Sequence, residues 1–161
     1  MSVRTGIGYD VHRFAAARSL ILGGVRIAHP LGLAGHSDAD VLLHAVMDAL
    51  LGAAALGDIG RHFPPTDERF RDADSLYLLA RVHSLIVEAG YTIANVDATV
   101  IAEAPRIAPH VPDMRRAIAD RLEIREEDVS VKATTNEGMG FVGRGEGIAA
   151  LAVATIVDRP R

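Results

Sequence analysis

Residues 37–56 read SDADVLLHAVMDALLGAAAL. Apolar side chains recur at helical spacing and nearly surround the segment, which predicts a helix packed deep in a core. Ser37 is placed as its N-cap, Asp40 stands three residues later where a capping box puts an acid, and Gly57 is its stop. Asp40, His44 and Asp48 fall at i, i+4 and i+8, which aligns them on one face. Polar groups on a buried helix need partners, because leaving them unpaired is costly. Two arrangements answer that need. Either Asp40 or Asp48 bonds His44 within the stripe, or one carboxylate orients the imidazole while its other nitrogen binds a metal.

Working outward, residues 3–14 read as extended, and LILGGVRI (20–27) reads as a hairpin turning at Gly23-Gly24. GDIGRHFPPTD (57–67) reads as a Gly/Pro loop. A second amphipathic helix is expected over 74–89, ended by Gly90, and a strand over 92–103. A third helix over 109–122 opens on prolines, followed by a strand over 129–135. Residues 137–147 read as a glycine-rich loop and 148–158 as a buried closing strand. Helices and strands alternate after residue 38. The expected class is therefore α/β (α+β), a single domain over 1–161 with a mixed β-sheet covered by helices.

Composition narrows the functional classes. With 161 residues, 49% of them apolar, the chain can build one independent core. It carries no long uncharged apolar run and no leader-like N-terminus, so a cytoplasmic location without a membrane partner is expected. A net charge of −4 without a basic stripe, no Trp and three Tyr argue against nucleic-acid binding. The absence of cysteine excludes disulfides, thiolate metal sites and cysteine nucleophiles. Any metal must be held by His, Asp and Glu, a donor set suited to zinc, manganese or magnesium. Lys132 is the only lysine, so a catalytic lysine would have to be this one.

Asp10-Val11-His12 puts an oxygen and a nitrogen donor on the same face of a strand. Taken alone, such a triplet is as readily solvated or locally hydrogen-bonded. With His44 it makes three protein ligands and leaves a fourth tetrahedral position open, the mark of a catalytic rather than a structural zinc. His36 and Ser37 precede the first helix, where exposed amides favour an anion or serve only as a cap. Asp58 lies between glycines, as a ligand for polyol hydroxyls or as a turn residue. From Lys132 to Gly147 two threonines lead into a loop rich in glycine, whose amides could approach phosphate oxygens or simply be flexible. The order of residues is not that of a Walker loop. Glu137 could hold a hard cation, and Arg144 could neutralise a phosphate or pair with Glu146.

Five segments in series, GYDVHRF (8–14), GGVRI (23–27), AGHSDADVLLHAVMDALLGAAALGDIGRHFPPTD (34–67), NVDATVIAEAPRIAPHVPDMR (95–115) and VSVKATTNEGMGFVGRGEGIAA (129–150), resemble the 2-C-methyl-D-erythritol 2,4-cyclodiphosphate synthase family of the non-mevalonate isoprenoid pathway. The resemblance implies a homotrimer with sheets around a threefold axis and active sites between subunits. It implies a divalent metal, usually zinc, possible also as manganese, on Asp10, His12 and His44. A magnesium or manganese ion would bridge the substrate's phosphates with Glu137 as its protein partner. The implied reaction converts 4-diphosphocytidyl-2-C-methyl-D-erythritol 2-phosphate to the cyclic diphosphate and releases CMP.

His36 and Thr135 match residues that steady the transition state, and Asp58 matches the one that holds the methylerythritol hydroxyls. Ser37, Ile59 and Gly60 fall among the implied substrate contacts. Phe63 to Asp67 matches a mobile substrate loop. Ala102, Pro105, Ile107 and Ala108, with Ala133, Thr134 and Thr135, match the cytidine-binding segments. Phe141 and Arg144 match residues near the trimer axis, where some members hold an isoprenoid diphosphate. The stretch Thr-Thr-Asn-Glu-Gly-Met-Gly-Phe (134–141) stands where the family is expected to read Thr-Thr-Thr/Asn-Glu-Lys/Gly-Leu/Met-Gly-Phe, a variation that leaves Glu137 in place and touches only loop details. Two alternatives remain at this point: a metal-dependent phosphohydrolase that activates water with the same ligands, and a non-enzymatic trimeric scaffold whose metal is structural.

Overall fold

The computed structural model describes residues 2–159, so the expected bounds at 1 and 161 lie outside it. The chain opens with β1 (Val3–Ala15), a small hairpin of β2 (Leu20–Leu22) and β3 (Val25–Ile27), and β4 (Gly32–Leu33). Then come α1 (Val41–Ala53), the short α2 (Ile59–His62), α3 (Ser75–Glu88) and β5 (Tyr91–Ile101). α4 (Val111–Leu122), β6 (Val129–Thr134), the short α5 (Gly140–Gly143) and β7 (Gly147–Asp158) complete it. The sheet has the order β4-β1-β7-β5-β6. β5 and β6 run parallel and the other neighbours antiparallel, so the sheet is mixed as expected. No helix of the described residues is long and apolar enough to cross a membrane.

The inner face of the sheet carries the core, and small residues decide how closely it is approached. Gly6, Gly8 and Asp10 on β1 lie opposite Ala154, Ala152 and Ala150 on β7. A floor of glycine and alanine lets α1 sink onto these two strands. Eleven of its 13 residues are buried, as the apolar pattern required. α3 packs on α1 and α4 on α3, closing the core over the sheet.

The outer face is bare. Val3, Ile7, Tyr9 and Val11 of β1 and Leu151 and Val153 of β7 are all exposed, Ile7 at 71%. The closing strand is buried throughout over 147–150 and on one face only from Leu151 onward, a correction to the expectation for 148–158. Antiparallel strands tolerate one open face, whereas the residue types here call for a cover.

Three local expectations are corrected. Ser37 does not cap α1; Asp40 does, accepting from the Leu43 amide at 3.0 Å. Ser37 Oγ instead accepts from the Ala39 amide, closing a turn before the helix. The loop 57–67 contains α2, capped by the Asp58 side chain. The loop 137–147 contains α5. Both turns of helix are too short for apolar periodicity to register.

The hairpin turn is as read, with Gly23 and Gly24 at φ +59° and +76°, where a side chain would be strained. Its amides point at Asp40 Oδ1 and Oδ2, at 3.0 and 2.8 Å. Asp40 thus ties the hairpin to α1 while fully buried. Burial, with the charge of Asp38 adding to it, pushes this carboxyl up to about 6, and the three amides work the other way.

Asp40→Ala should lower unfolding free energy at neutral pH by about 3 kcal/mol, because three amide donors, those of Gly23 and Leu43 buried and that of Gly24 partly so, lose their acceptor and the cap goes with them. An unfolded aspartate loses its proton near pH ~4, so between about pH 4 and 6 the folded chain holds the extra proton. The stability this group contributes therefore falls as pH rises through that window. Urea titrations across it should show a steeper fall in the parent than in the alanine variant, where Asp48, also raised by burial, still contributes.

Candidate metal centre

β1 and α1 carry the two halves of the site, and the glycine–alanine floor brings them together. Asp10 and His12 project from the inner face of β1, and His44 comes down from the second turn of α1. Asp10 Oδ2 lies 2.8 Å from His12 Nε2 and 3.0 Å from His44 Nδ1, with 3.1 Å between the two nitrogens. These three are the one His/Cys/Asp/Glu group among the described residues whose donor atoms converge as a metal's ligands would.

The donor chemistry fits a divalent ion. A carboxylate oxygen and two imidazole nitrogens converge, and the far nitrogen of each ring is already engaged. His12 Nδ1 donates to the Ala34 carbonyl at 2.6 Å, which frees Nε2 as a lone-pair donor. His44 Nε2 sits 3.2 Å from Ser37 Oγ and 3.3 Å from Ser75 Oγ. No fourth such ligand joins among the described residues. An ion here would keep a position open, as catalytic sites do.

Charge in the cluster is strongly coupled. Burial alone would raise the Asp10 carboxyl, but hydrogen bonds to His12 and His44 and their positive charge outweigh it and hold it at about 2. Burial likewise works against charge on His12. The bond and the charge of Asp10 more than offset that, and the imidazole is raised above its ordinary value.

The polar stripe of α1 is not self-satisfied. Asp40 serves the hairpin, His44 serves Asp10 and the two serines, and Asp48 Oδ1 accepts from the Ile59 amide at 2.8 Å. Asp48 thereby docks α2 at the mouth of the site. Burial raises its carboxyl, with Asp58 and Asp10 adding and the Ile59 amide opposing.

Above the cluster opens a cavity of about 230 Å³, lined by Asp10, His12, His36, Ser37, His44 and Met47 with Ile59, Phe63, Pro65, Phe70 and Leu78. His36 Nε2 donates to the Asp67 carbonyl at 3.2 Å, so the segment 63–70 is folded over the histidine. Phe63 meets Phe70 edge to face. The Asp67 side chain accepts from the Arg69 amide and pairs with its guanidinium. Asp58 accepts from the Arg61 amide at 3.0 Å, and Gly60 lies within α2.

Asp58, Gly60 and Asp67 stand beside this cavity in sequence but are not among its lining residues, and the remaining expected site residues lie elsewhere in the chain. Across the sheet, Asp10 pairs with Ala150, Ala150 with Val100 and Val100 with Ala133. Three strand spacings therefore separate Ala133 from Asp10, about 14 Å. Ala102, Pro105, Ile107 and Ala108 follow β5, and Thr134, Thr135 and Glu137 follow β6, so they form a second group at that edge. Glu103 joins the two segments by accepting from the Asn136 amide at 2.8 Å. Phe141 lines a separate cavity with Val11, His12 and Arg13, and Arg144 pairs with Glu146 at 2.7 Å. Lys132 pairs with Asp97 at the surface.

Sequence reading missed Ser75, Asp38, Asp48 as the anchor of α2, and Arg18. The Arg18 guanidinium holds the carbonyls of Gly35 and Ser37 at 3.1 and 2.6 Å. Asp48 was visible as a polar position on an apolar helix. Nothing in linear order places Ser75, 31 residues away, against His44.

Fold and site together define a class: α/β proteins with a mixed sheet and, at the foot of a cavity, an Asp-His-His group that could hold a metal ion. Comparison with known proteins is specific. The family model described as the YgbB family matches residues 3–157. The 2-C-methyl-D-erythritol 2,4-cyclodiphosphate synthase of Alkaliphilus metalliredigens is 60% identical over 154 residues, 96% of this chain and 97% of that one. The fold matches the bifunctional IspDF from Campylobacter jejuni with a TM-score of 0.93 at 43% identity, covering 98% of this chain and 43% of that larger one. It also matches IspF of Plasmodium falciparum, in a CDP complex, with a TM-score of 0.86 at 33% identity over 99% and 98% of the two chains. The chain belongs to the YgbB family, that of the 2-C-methyl-D-erythritol 2,4-cyclodiphosphate synthases.

Proposed function

We propose that this chain, a single domain over 1–161 acting as a cytoplasmic homotrimer, converts 4-diphosphocytidyl-2-C-methyl-D-erythritol 2-phosphate to 2-C-methyl-D-erythritol 2,4-cyclodiphosphate with release of CMP. The observation that carries the reading is the convergence of Asp10, His12 and His44 under an open cavity, in a chain about 60% identical to synthases of that name. An oxygen of the 2-phosphate attacks the β-phosphorus. The bond from that phosphorus to the α–β bridging oxygen breaks, and CMP leaves with that oxygen. No general base is needed, because a phosphate monoester is largely ionised at neutral pH.

Zinc or manganese on Asp10, His12 and His44, and magnesium or manganese with Glu137, would supply Lewis-acid polarisation and neutralise the diphosphate. The protein's own residues position and shield. His36 and Ser37 line the cavity where phosphate oxygens would lie, and Thr135 would come to it from a neighbouring subunit. Asp58, at the start of α2, accepts from the diol hydroxyls with the carboxylate oxygen that its cap leaves free. Phe63 and Asp67, with Ile59 and Gly60, cover the sugar and exclude water. Ala102, Pro105, Ile107, Ala108, Ala133 and Thr134 hold the cytosine. Holding both reacting ends on one scaffold makes the step effectively unimolecular.

The trimer explains two features together. A second copy against the bare outer face would cover Ile7, Tyr9, Leu151 and Val153. It would also bring a neighbour's 102–108 and 133–137 segments to a cavity they cannot reach in their own chain. Phe141 and Arg144 would then stand near the axis, where an isoprenoid diphosphate could bind.

Phosphorus NMR of the purified protein with zinc, magnesium and the diphosphocytidyl substrate tests the reaction. A cyclic diphosphate appearing with CMP is the expected result. CMP with an open-chain product would mean hydrolysis, and no turnover in a zinc-loaded trimer would mean a scaffold. Asp58→Ala should raise KM or lower kcat/KM by about tenfold to a hundredfold, the loss of one or two charge-assisted hydrogen bonds, with metal content unchanged. An unaltered rate at every substrate concentration would remove Asp58 from the site.

A further inference from the structure

Behind the metal cluster lies a buried contact that neither half of the sequence motif contains. Ser75, the first residue of α3, is fully buried, and its hydroxyl touches Asp38 Oδ1 at 2.5 Å and His44 Nε2 at 3.3 Å. We propose that Asp38 and Ser75 are positioning residues that fix the ring tautomer of His44, holding its proton on Nε2 so that Nδ1 presents a lone pair to a divalent metal. The inference rests on the reading of Asp10, His12 and His44 as ligands.

The argument is one of proton counting. Ser75 Oγ has a single proton and two acceptors within reach. The Asp38 carboxylate is the stronger acceptor and lies 0.8 Å nearer than the imidazole nitrogen, so it takes that proton. What Ser75 then shows His44 is a lone pair, which contacts Nε2 favourably only when Nε2 carries hydrogen. The backbone that carries this hydroxyl is held as well, because the Ser75 amide donates to Asp38 Oδ2 at 2.9 Å. Asp38 is pinned in turn by the Asp40 amide on Oδ1 and by its own amide's bond to the Ala73 carbonyl.

Ser37 does not make this choice. Its hydroxyl accepts from the Ala39 amide and keeps a free proton, so it can donate to a bare Nε2 or accept from a protonated one. The selection therefore falls to Ser75. His12 reaches the same end by a different route, since the Ala34 carbonyl can only accept and so fixes hydrogen on Nδ1. The two imidazoles present opposite nitrogens to the cluster, Nε2 from His12 and Nδ1 from His44, and each is set by a separate acceptor behind it.

The test compares Ser75→Ala with Ser37→Ala. Alanine at 75 keeps the amide bond to Asp38 and removes only the hydroxyl, so the start of α3 is preserved. Zinc affinity is measured by competition with a chelating dye, and zinc-loaded protein with labelled histidine gives the ring N–H resonances. Ser75→Ala should weaken zinc by about tenfold to a hundredfold, the usual effect of removing a partner behind a metal-bound histidine. Ser37→Ala should stay within about threefold of the parent.

The His44 Nε2–H resonance should shift or broaden in the first variant, while the His12 Nδ1–H resonance is unmoved. Any other pattern, including equal losses in the two variants or an unmoved His44 resonance, overturns the proposal. A parent protein that takes up no zinc would instead overturn the ligand assignment itself.

Discussion

On the proposed reading of a trimer with zinc on Asp10, His12 and His44, His44→Ala should leave the protein folded and assembled but almost free of tightly bound zinc, with turnover lowered by a factor of about 10³ or more. Two ligands remain, Asp10 and His12, and they form a salt bridge at 2.8 Å that closes on itself when the third donor is gone. A Lewis acid at the reacting phosphorus supplies several kcal/mol of transition-state stabilisation, and about 4 kcal/mol corresponds to that thousandfold loss. The fold should survive. His44 is one polar group on a helix otherwise held by Leu42, Leu43, Val46, Met47, Leu50 and Leu51, all fully buried. Metal analysis, sedimentation and phosphorus NMR read the three quantities separately. Parent-level activity in a metal-free variant would sink the ligand assignment.

Gly8→Ala should do more damage than any change at the cluster, by destroying the approach that builds it. A Cβ at Gly8 would stand 1.8 Å from the Ala45 carbonyl oxygen, 2.8 Å from its carbon and 2.9 Å from the Ala49 nitrogen. These are backbone atoms of α1 and cannot rotate aside. The helix would have to lift by more than an ångström along its central contact with the sheet. Overpacking of this kind costs on the order of 3 kcal/mol or more. The same displacement pulls His44, the residue before Ala45, away from Asp10, two residues after Gly8, so zinc affinity should fall along with stability.

Gly52→Ala is the control. Its Cβ would meet nothing nearer than the Ile7 carbonyl oxygen at 4.0 Å, and its position is helical. That change should stabilise by about 0.5–1 kcal/mol. Urea midpoints and zinc titrations of both variants decide the matter. A Gly8→Ala protein as stable and as zinc-competent as the parent would mean that the strand and helix do not set the site's geometry.

Sequence alone determined the elements whose signal is local. The apolar surround of 41–53 announced a core helix, and Gly23-Gly24 announced a hairpin turn. The spacing of Asp10 and His12 put two donors on one strand face. The family resemblance, carried by five ordered segments, then tied His44 to that pair. What order along the chain could not hold was distance across it. The cap of α1 moved from Ser37 to Asp40 because a fully buried carboxylate could serve the hairpin amides at the same time, a gain invisible in a four-residue motif.

The three polar residues of α1 parted company because the sheet, the hairpin and α2 each offered a nearer partner. Ser75 entered the site because α3 packs on α1 with its first turn behind His44. Thr135 and Glu137 stayed outside the cavity because β7 and β5 stand between β6 and β1. Residue type and period fix what each segment can become. Which polar group meets which is settled by packing, since a buried hydrogen bond or charge is stabilised only by a partner within about 3 Å.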